Sequence, residues 1–270
     1  MDRNHRQDGR DLLIRTVAPG TALFALVVGV GLALTGPLVG LSHSEESINK
    51  YLADHRTTRW NAITLVWSHI GNTGIVVGVC IAVAALVLWR TRDWRLAAVP
   101  LIAISLQLVI FLLAAHLVGR TRPPVAKLDP APPTSSYPSG HVGATTALYV
   151  GFALLATRIR RAWLRWATIA VCLAVPLLVS FARLYRGMHH ISDVAAAMLN
   201  GLTCALLAYN WYRHRKQAAR RSVGVSESKL RRRRLSQPSK PSPGHKRATN
   251  PVNQRPDEES PVRGSRSEQP

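Results

Sequence analysis

Six stretches of this chain carry no charged residue: 17–41, 73–89, 97–115, 142–157, 166–182 and 194–212. Each is close to the roughly 20 apolar residues, within a range of about 17–25, that a helix needs to cross a bilayer. No other feature narrows the fold as much. In hydrocarbon the backbone N–H and C=O groups must be satisfied inside the chain, so such runs become helices rather than open-edged strands. The chain is 47% hydrophobic, an ordinary fraction; what matters is that the apolar residues are gathered into these runs. The reading is an all-α, polytopic, six-transmembrane-helix bundle over residues 16–212. A short segment, 1–15, precedes it, and a disordered basic tail, 213–270, follows. The stretch 12–41 also fits a signal peptide, but its apolar run is long for one and five more spans follow, so it reads as an uncleaved first helix.

Charge orients the bundle. The N-terminal segment, RTRDWR (90–95), RIRRAWLR (158–165) and the tail beginning RHRK (213–216) are basic, and six spans place all four on one side. The positive-inside rule then sets both termini in the cytoplasm of a cell-membrane protein. The net charge is +21, and the tail holds 16 Lys and Arg against 5 Asp and Glu. Such a balance invites a nucleic-acid reading. With six apolar spans beside it, the better partner is anionic lipid headgroups, and no nucleic acid is expected. From about 217 the tail has almost no large apolar residue, too few to offset chain entropy. The cysteines, Cys80, Cys172 and Cys204, lie within apolar spans without zinc spacing, so no metal or other cofactor is implied.

The opposite side receives three connections. In 42–72, Ile63, Val66, Trp67 and Ile70 recur at helical spacing, predicting an interfacial helix. The other two connections hold charged groups near bilayer depth, where such groups are costly and usually functional. Arg120 and Arg122 follow the third span. Ser139, Gly140 and His141 precede the fourth. Arg183, His189 and Asp193 lie between the fifth and sixth. With the sixth span beginning near Met188, His189 and Asp193 share a helix face. His190 is then turned about 100° away as a rim residue. A carboxylate beside an imidazole fixes its tautomer and leaves the other nitrogen free to attack. Ser139 is placed to cap the fourth span, and Gly140 lets a backbone N–H approach a ligand at that anion-binding helix start. His141, at the same place, is positioned to protonate a departing oxygen. Arginines and N–H groups around two histidines suit phosphoryl transfer.

Each group alone is a weak signal; the set, in one order and on one side, is specific. It resembles the three-part signature of the type 2 phosphatidic acid phosphatases, relatives of vanadium haloperoxidases: K-x6-RP, PSGH and SR-x5-H-x3-D. Arg122-Pro123 matches the end of the first part, Pro138-Ser139-Gly140-His141 the whole second, and Arg183, His189 and Asp193 the third. The resemblance spans about residues 16–212. It implies a metal-independent phosphatase acting on a lipid phosphate, either phosphatidic acid or a polyprenyl pyrophosphate, at the extracytoplasmic face. His189 would be the nucleophile, Asp193 its orienting group and His141 the general acid. Arg122, Arg183, Ser139 and the Gly140 N–H would hold the phosphate. The chain departs from the pattern twice: Ala115 stands at the Lys position and Ala182 at the Ser position. Arg120 is the nearest replacement cation, ahead of Lys127. Two other readings fit less of the sequence. One is a metal-binding transporter using the histidines and Asp193; the other is a membrane scaffold that recruits through its basic tail.

Overall fold

The computed structural model describes residues 3–131 and 133–236. Among them the regular structure is entirely helical: α1 (Arg3–Leu12), a π-helical turn (Leu13–Val17), α2 (Ala18–Thr35), α3 (Val39–Asp54), α4 (Thr58–Ile70), α5 (Thr73–Thr91), α6 (Trp94–Val118), α7 (Gly140–Ala156), α8 (Ala162–Tyr185) and α9 (Ile191–Ser236). Five segments are long and apolar enough to cross a membrane: Gln7–Thr35, Thr73–Thr91, Trp94–Val118, Ala162–Tyr185 and Ile191–Arg221. The sixth apolar helix, α7, is shorter at 17 residues. The chain is a multi-pass membrane protein. Its spans expose Ile81, Leu86, Leu112, Leu117, Leu173 and Leu177, a surface suited to lipid.

α7 is the centre of the bundle. It is apolar all round, the pattern of an interior helix. It packs against α8, α6 and α5, and Gly201 of α9 lies close against Gly143, Thr146 and Ala147. Its small residues Gly143, Ala144, Ala147 and Gly151 let neighbours approach closely, the usual device where lipid removes the hydrophobic drive between helices. One apolar cluster joins Ala144, Ala147 and Leu148 of α7 to Val99 and Ala103 of α6 and to Ala205 and Ala208 of α9. A second joins Leu23 and Val27 of α2 to Ile110 and Ala114 of α6 and to Tyr137. Tyr137 also donates its hydroxyl to the Val27 carbonyl at 2.8 Å, tying the loop before α7 to the first span.

Three boundaries differ from the sequence reading. The first span stops at Thr35 because Gly36-Pro37 follows, and Pro disfavours helix in the residue before it. The 42–72 connection is nearly all helix, α3 and α4, with Thr57 capping α4 through the Trp60 N–H at 3.3 Å. The chain does not become irregular at 213: α9 continues to Ser236. The reason for its first added turn is ionic. Arg215 is buried and binds Asp8 and Asp11 of α1, while Arg95 of α6 binds Asp8 at 2.9 Å. α1 is thus docked rather than a loose leader. Residues from Gly224 form a separate unit, of which the stretch to Ser236 is helical. The rest of the expected disordered tail lies outside the described residues.

The α5–α6, α7–α8 and α8–α9 connections are short, and the longer one between α6 and α7, residues 119–139, returns the chain to the end of the bundle it left. The end of α6, the start of α7, the end of α8 and the start of α9 therefore meet at one face. The opposite face carries exposed Trp89, Trp94, Trp163 and Trp166 beside basic loops, an aromatic belt.

Candidate active site

At the face where these helix ends meet is a cavity of about 390 Å³. Arg122, Gly140, His141, Arg183 and His189 line it, together with Asp129 of the α6–α7 loop. The turn from α4 to α5 closes the other side with Ser68, His69 and Asn72. Three segments separated by up to 67 positions, which the sequence reading joined by chemistry and by a family resemblance, share one hollow.

His189 is buried in the short non-helical link between α8 and α9. Gly187 makes the turn before it with φ +73°, where a Cβ would also meet Val125 at 2.8 Å. The His189 Nδ1 lies 2.7 Å from the Ser136 carbonyl, a bond that requires Nδ1–H and leaves Nε2 without its proton. Asp193 Oδ2 is 3.8 Å from the same Nδ1. The residue that orients His189 most directly is therefore the Ser136 carbonyl, with Asp193 as a nearby charge. Burial holds the His189 pKa below its ordinary value, against the pull of Asp193 and with help from Arg183. The ring is neutral at pH 7, the form a nucleophile needs.

The helical-phase argument for the two histidines does not hold. α9 begins at Ile191, so neither histidine is on it. His190 is buried rather than at a rim, its Nδ1 lies 3.3 Å from Asp193 Oδ2, and its backbone N–H donates to that oxygen at 2.8 Å. The two differ in that His189 lines the cavity and His190 does not.

Arg120 is also not where the sequence placed it. It does not line the cavity. Its Nη1 donates to Asp193 Oδ1 at 2.5 Å and to Ser192 Oγ at 2.6 Å, and its Nη2 to Glu45 Oε2 at 3.0 Å. Two buried carboxylates claim this guanidinium, so it stands behind the histidines as a counter-charge rather than as a phosphate ligand. Lys127 does not line the cavity either, and Ala115 is buried within α6. The missing lysine has no replacement among the lysines and arginines of the described residues that line the site.

Arg122 and Arg183 do line it. Arg122 donates Nη1 to the Met188 carbonyl at 2.8 Å, and burial lowers its pKa. Arg183 donates Nη1 to Ser68 Oγ at 2.8 Å and to Asp129 Oδ2 at 2.6 Å. In both, Nε is buried with no partner. Ser139 occupies the cap position of α7 but makes no side-chain cap bond, and its buried Oγ is also without a partner. Native proteins leave few buried polar atoms unpaired, and each costs about 1–3 kcal/mol. Gly140 opens α7, where free N–H groups gather; a Cβ there would come within 2.7 Å of Phe111.

Four participants had little signal in the sequence. Asp129 stands out only as an acid in a loop with three Lys and Arg between 119 and 139. Glu45 and Asn49 on α3 reach the site from far away: Glu45 accepts the Ser192 N–H at 2.9 Å, and Asn49 donates to the His189 carbonyl at 3.0 Å. Ser136 acts through its backbone carbonyl, which any residue has.

Residues 94–217 match the family model of the PAP2 superfamily. The fold is similar to the crystal structure of a transmembrane PAP2-type phosphatidylglycerolphosphate phosphatase from Bacillus subtilis, with a TM-score of 0.64 and 19% identity over 72% of this chain and 96% of that chain. Aquifex aeolicus LpxE superposes with a TM-score of 0.48 and 18% identity, over 61% of this chain and 93% of that chain. No match is found among curated protein sequences.

Proposed function

We propose, for a chain whose residues 94–217 match the PAP2 superfamily model, that it hydrolyses the phosphate ester of a membrane lipid by way of a phosphohistidine. The observation that carries the reading is the pair of buried, unpartnered donors Arg122 Nε and Arg183 Nε on residues that line the cavity beside His141 and His189, with the unpartnered Ser139 Oγ between the lining residues Pro138 and Gly140. A tetrahedral oxyanion is the ligand that satisfies several such donors at once. Residual buried donors of this kind strengthen as charge develops on the phosphoryl oxygens in the transition state.

In the first step the bare Nε2 of His189 attacks phosphorus, and the bond from phosphorus to the lipid oxygen breaks. His141 gives its proton to the departing alkoxide. The Ser136 carbonyl holds Nδ1–H, and Asp193 stabilises the charge that appears on the ring. In the second step His141 takes a proton from water. The hydroxide attacks phosphorus, breaks the N–P bond and returns His189 with release of inorganic phosphate.

Arg120 weighs against the metal-transport reading. Its guanidinium, bonded to Asp193 at 2.5 Å, occupies the position a cation would need. Among the described residues no group of three or more His, Cys, Asp or Glu is placed to hold a metal ion. The positive-inside rule supports an extracytoplasmic site, because the basic loops 90–95 and 158–165 lie at the opposite face. The test is phosphate release by the purified chain in detergent with EDTA. The panel is phosphatidic acid, phosphatidylglycerol phosphate and polyprenyl mono- and diphosphates. Turnover that His189→Ala abolishes is the expected result; wild-type turnover in that variant refutes the mechanism.

A further inference from the structure

Asp129 belongs to none of the three motif segments, yet its carboxylate lies in the wall of the cavity. Both oxygens are engaged. Oδ2 accepts from Ser68 Oγ at 2.8 Å and from Arg183 Nη1 at 2.6 Å. Oδ1 accepts from Arg186 Nε at 2.8 Å and lies 2.7 Å from Arg186 Nη2. Arg186 is fixed in turn by the carbonyls of Asn61 and Leu128, at 3.1 and 2.9 Å. A carboxylate held from both sides is a permanent part of the wall. By engaging Nη1 it leaves Arg183 with its Nε unpartnered.

The charge at the cavity follows from these contacts. Arg122 and Arg183 line it, and Arg186 is joined to it through Asp129. Three guanidinium groups and one carboxylate leave a net charge of two. The nearby charges Arg120, Glu45 and Asp193 are bonded to one another behind the histidines. A phosphomonoester carries about −1.5 to −2 at neutral pH, which this wall balances. A terminal diphosphate brings one more negative charge, which it does not. Ala115 removes the lysine that would have supplied the missing cation, and Asp129 lowers the total further.

We propose that Asp129 is a specificity-determining residue, a built-in carboxylate that orients Arg183 and matches the site to lipid phosphomonoesters in preference to lipid diphosphates. The inference rests on the phosphatase reading above. A unit charge about 6–12 Å from the ligand's added charge changes relative affinity by about 10- to 100-fold at an effective dielectric of about 20.

The probes are orthophosphate and pyrophosphate, titrated by calorimetry into the full chain in detergent with EDTA, for wild type, Asp129→Asn and Asp129→Glu. Wild type should bind orthophosphate at least as tightly as pyrophosphate. Asp129→Asn should move the affinity ratio toward pyrophosphate by about 10- to 100-fold, while Asp129→Glu, which keeps the charge, should hold the wild-type ratio. Equal loss of both anions in Asp129→Asn would overturn the proposal, because a merely structural residue behaves that way. Pyrophosphate binding more than tenfold tighter in wild type would also overturn it, and that measurement needs no variant to fold. Failure of both anions to bind wild type would refute the anion site itself, and with it the proposed function.

Discussion

Replacing Arg120 by Gln separates the two roles this residue could have. The guanidinium side chain is 3% exposed and lies between Glu45, 9% exposed, and Asp193, fully buried. Its nitrogens reach their oxygens at 3.0 and 2.5 Å. At an effective dielectric of about 20, a unit-charge pair near 3 Å attracts by about 5 kcal/mol before desolvation. Removing the cation leaves two carboxylates buried with no positive partner between them, and breaking a buried pair in this way costs about 3–5 kcal/mol. For a domain of about 200 residues each kcal/mol shifts Tm by about 2–4 °C, so Arg120→Gln should melt about 6–20 °C below wild type. The assay is fluorescence-detected size exclusion of detergent-solubilised protein after a heating series, with orthophosphate affinity measured on the same samples at low temperature. A phosphate ligand would behave differently. If Arg120→Gln melts within about 2 °C of wild type while orthophosphate binding weakens tenfold, the counter-charge assignment is refuted.

Three further outcomes follow from the geometry. The His189 ring, neutral through burial, should titrate below the ordinary histidine value of about 6.5 in a 15N NMR experiment on the labelled chain, and a midpoint at or above 6.5 contradicts the buried, carbonyl-bonded ring. Asp129 has its pKa lowered: burial alone would raise it, but hydrogen bonds from Arg186 and Ser68 and the charges of Arg183 and Arg186 prevail. Its stabilisation is therefore complete above the unfolded carboxylate pKa near 3.9 and is lost as pH falls through the lower folded value. Asp129→Asn should cost about 1.5–3 kcal/mol at pH 7, with the gap to wild type closing only below about pH 4 in denaturation series. Asp8→Ala leaves buried Arg215 without its nearest partner, so it should lower Tm by several degrees while phosphate release at 25 °C stays within about twofold, because α1 and Arg215 lie at the face opposite the cavity; loss of turnover in a folded protein would show that the two faces are coupled.

The sequence determined the helices, because a run of apolar residues in a bilayer has one way to satisfy its backbone. It also determined the identity of Arg122, His141, Arg183 and His189 as partners, because fixed offsets from span ends bring their positions to one face. Tertiary structure decided what each charge does there. A guanidinium binds phosphate or carboxylate with the same fork. Arg120 became a counter-charge because Glu45, 75 positions away, arrives on α3. Arg183 kept its place at the cavity but acquired Asp129 from a loop of no recognisable pattern. The tautomer of His189 is set by a backbone carbonyl, which leaves no mark in side-chain chemistry. Local sequence fixes where a polar group is held. The partner it meets depends on long-range packing, and that choice set the polarity of this site.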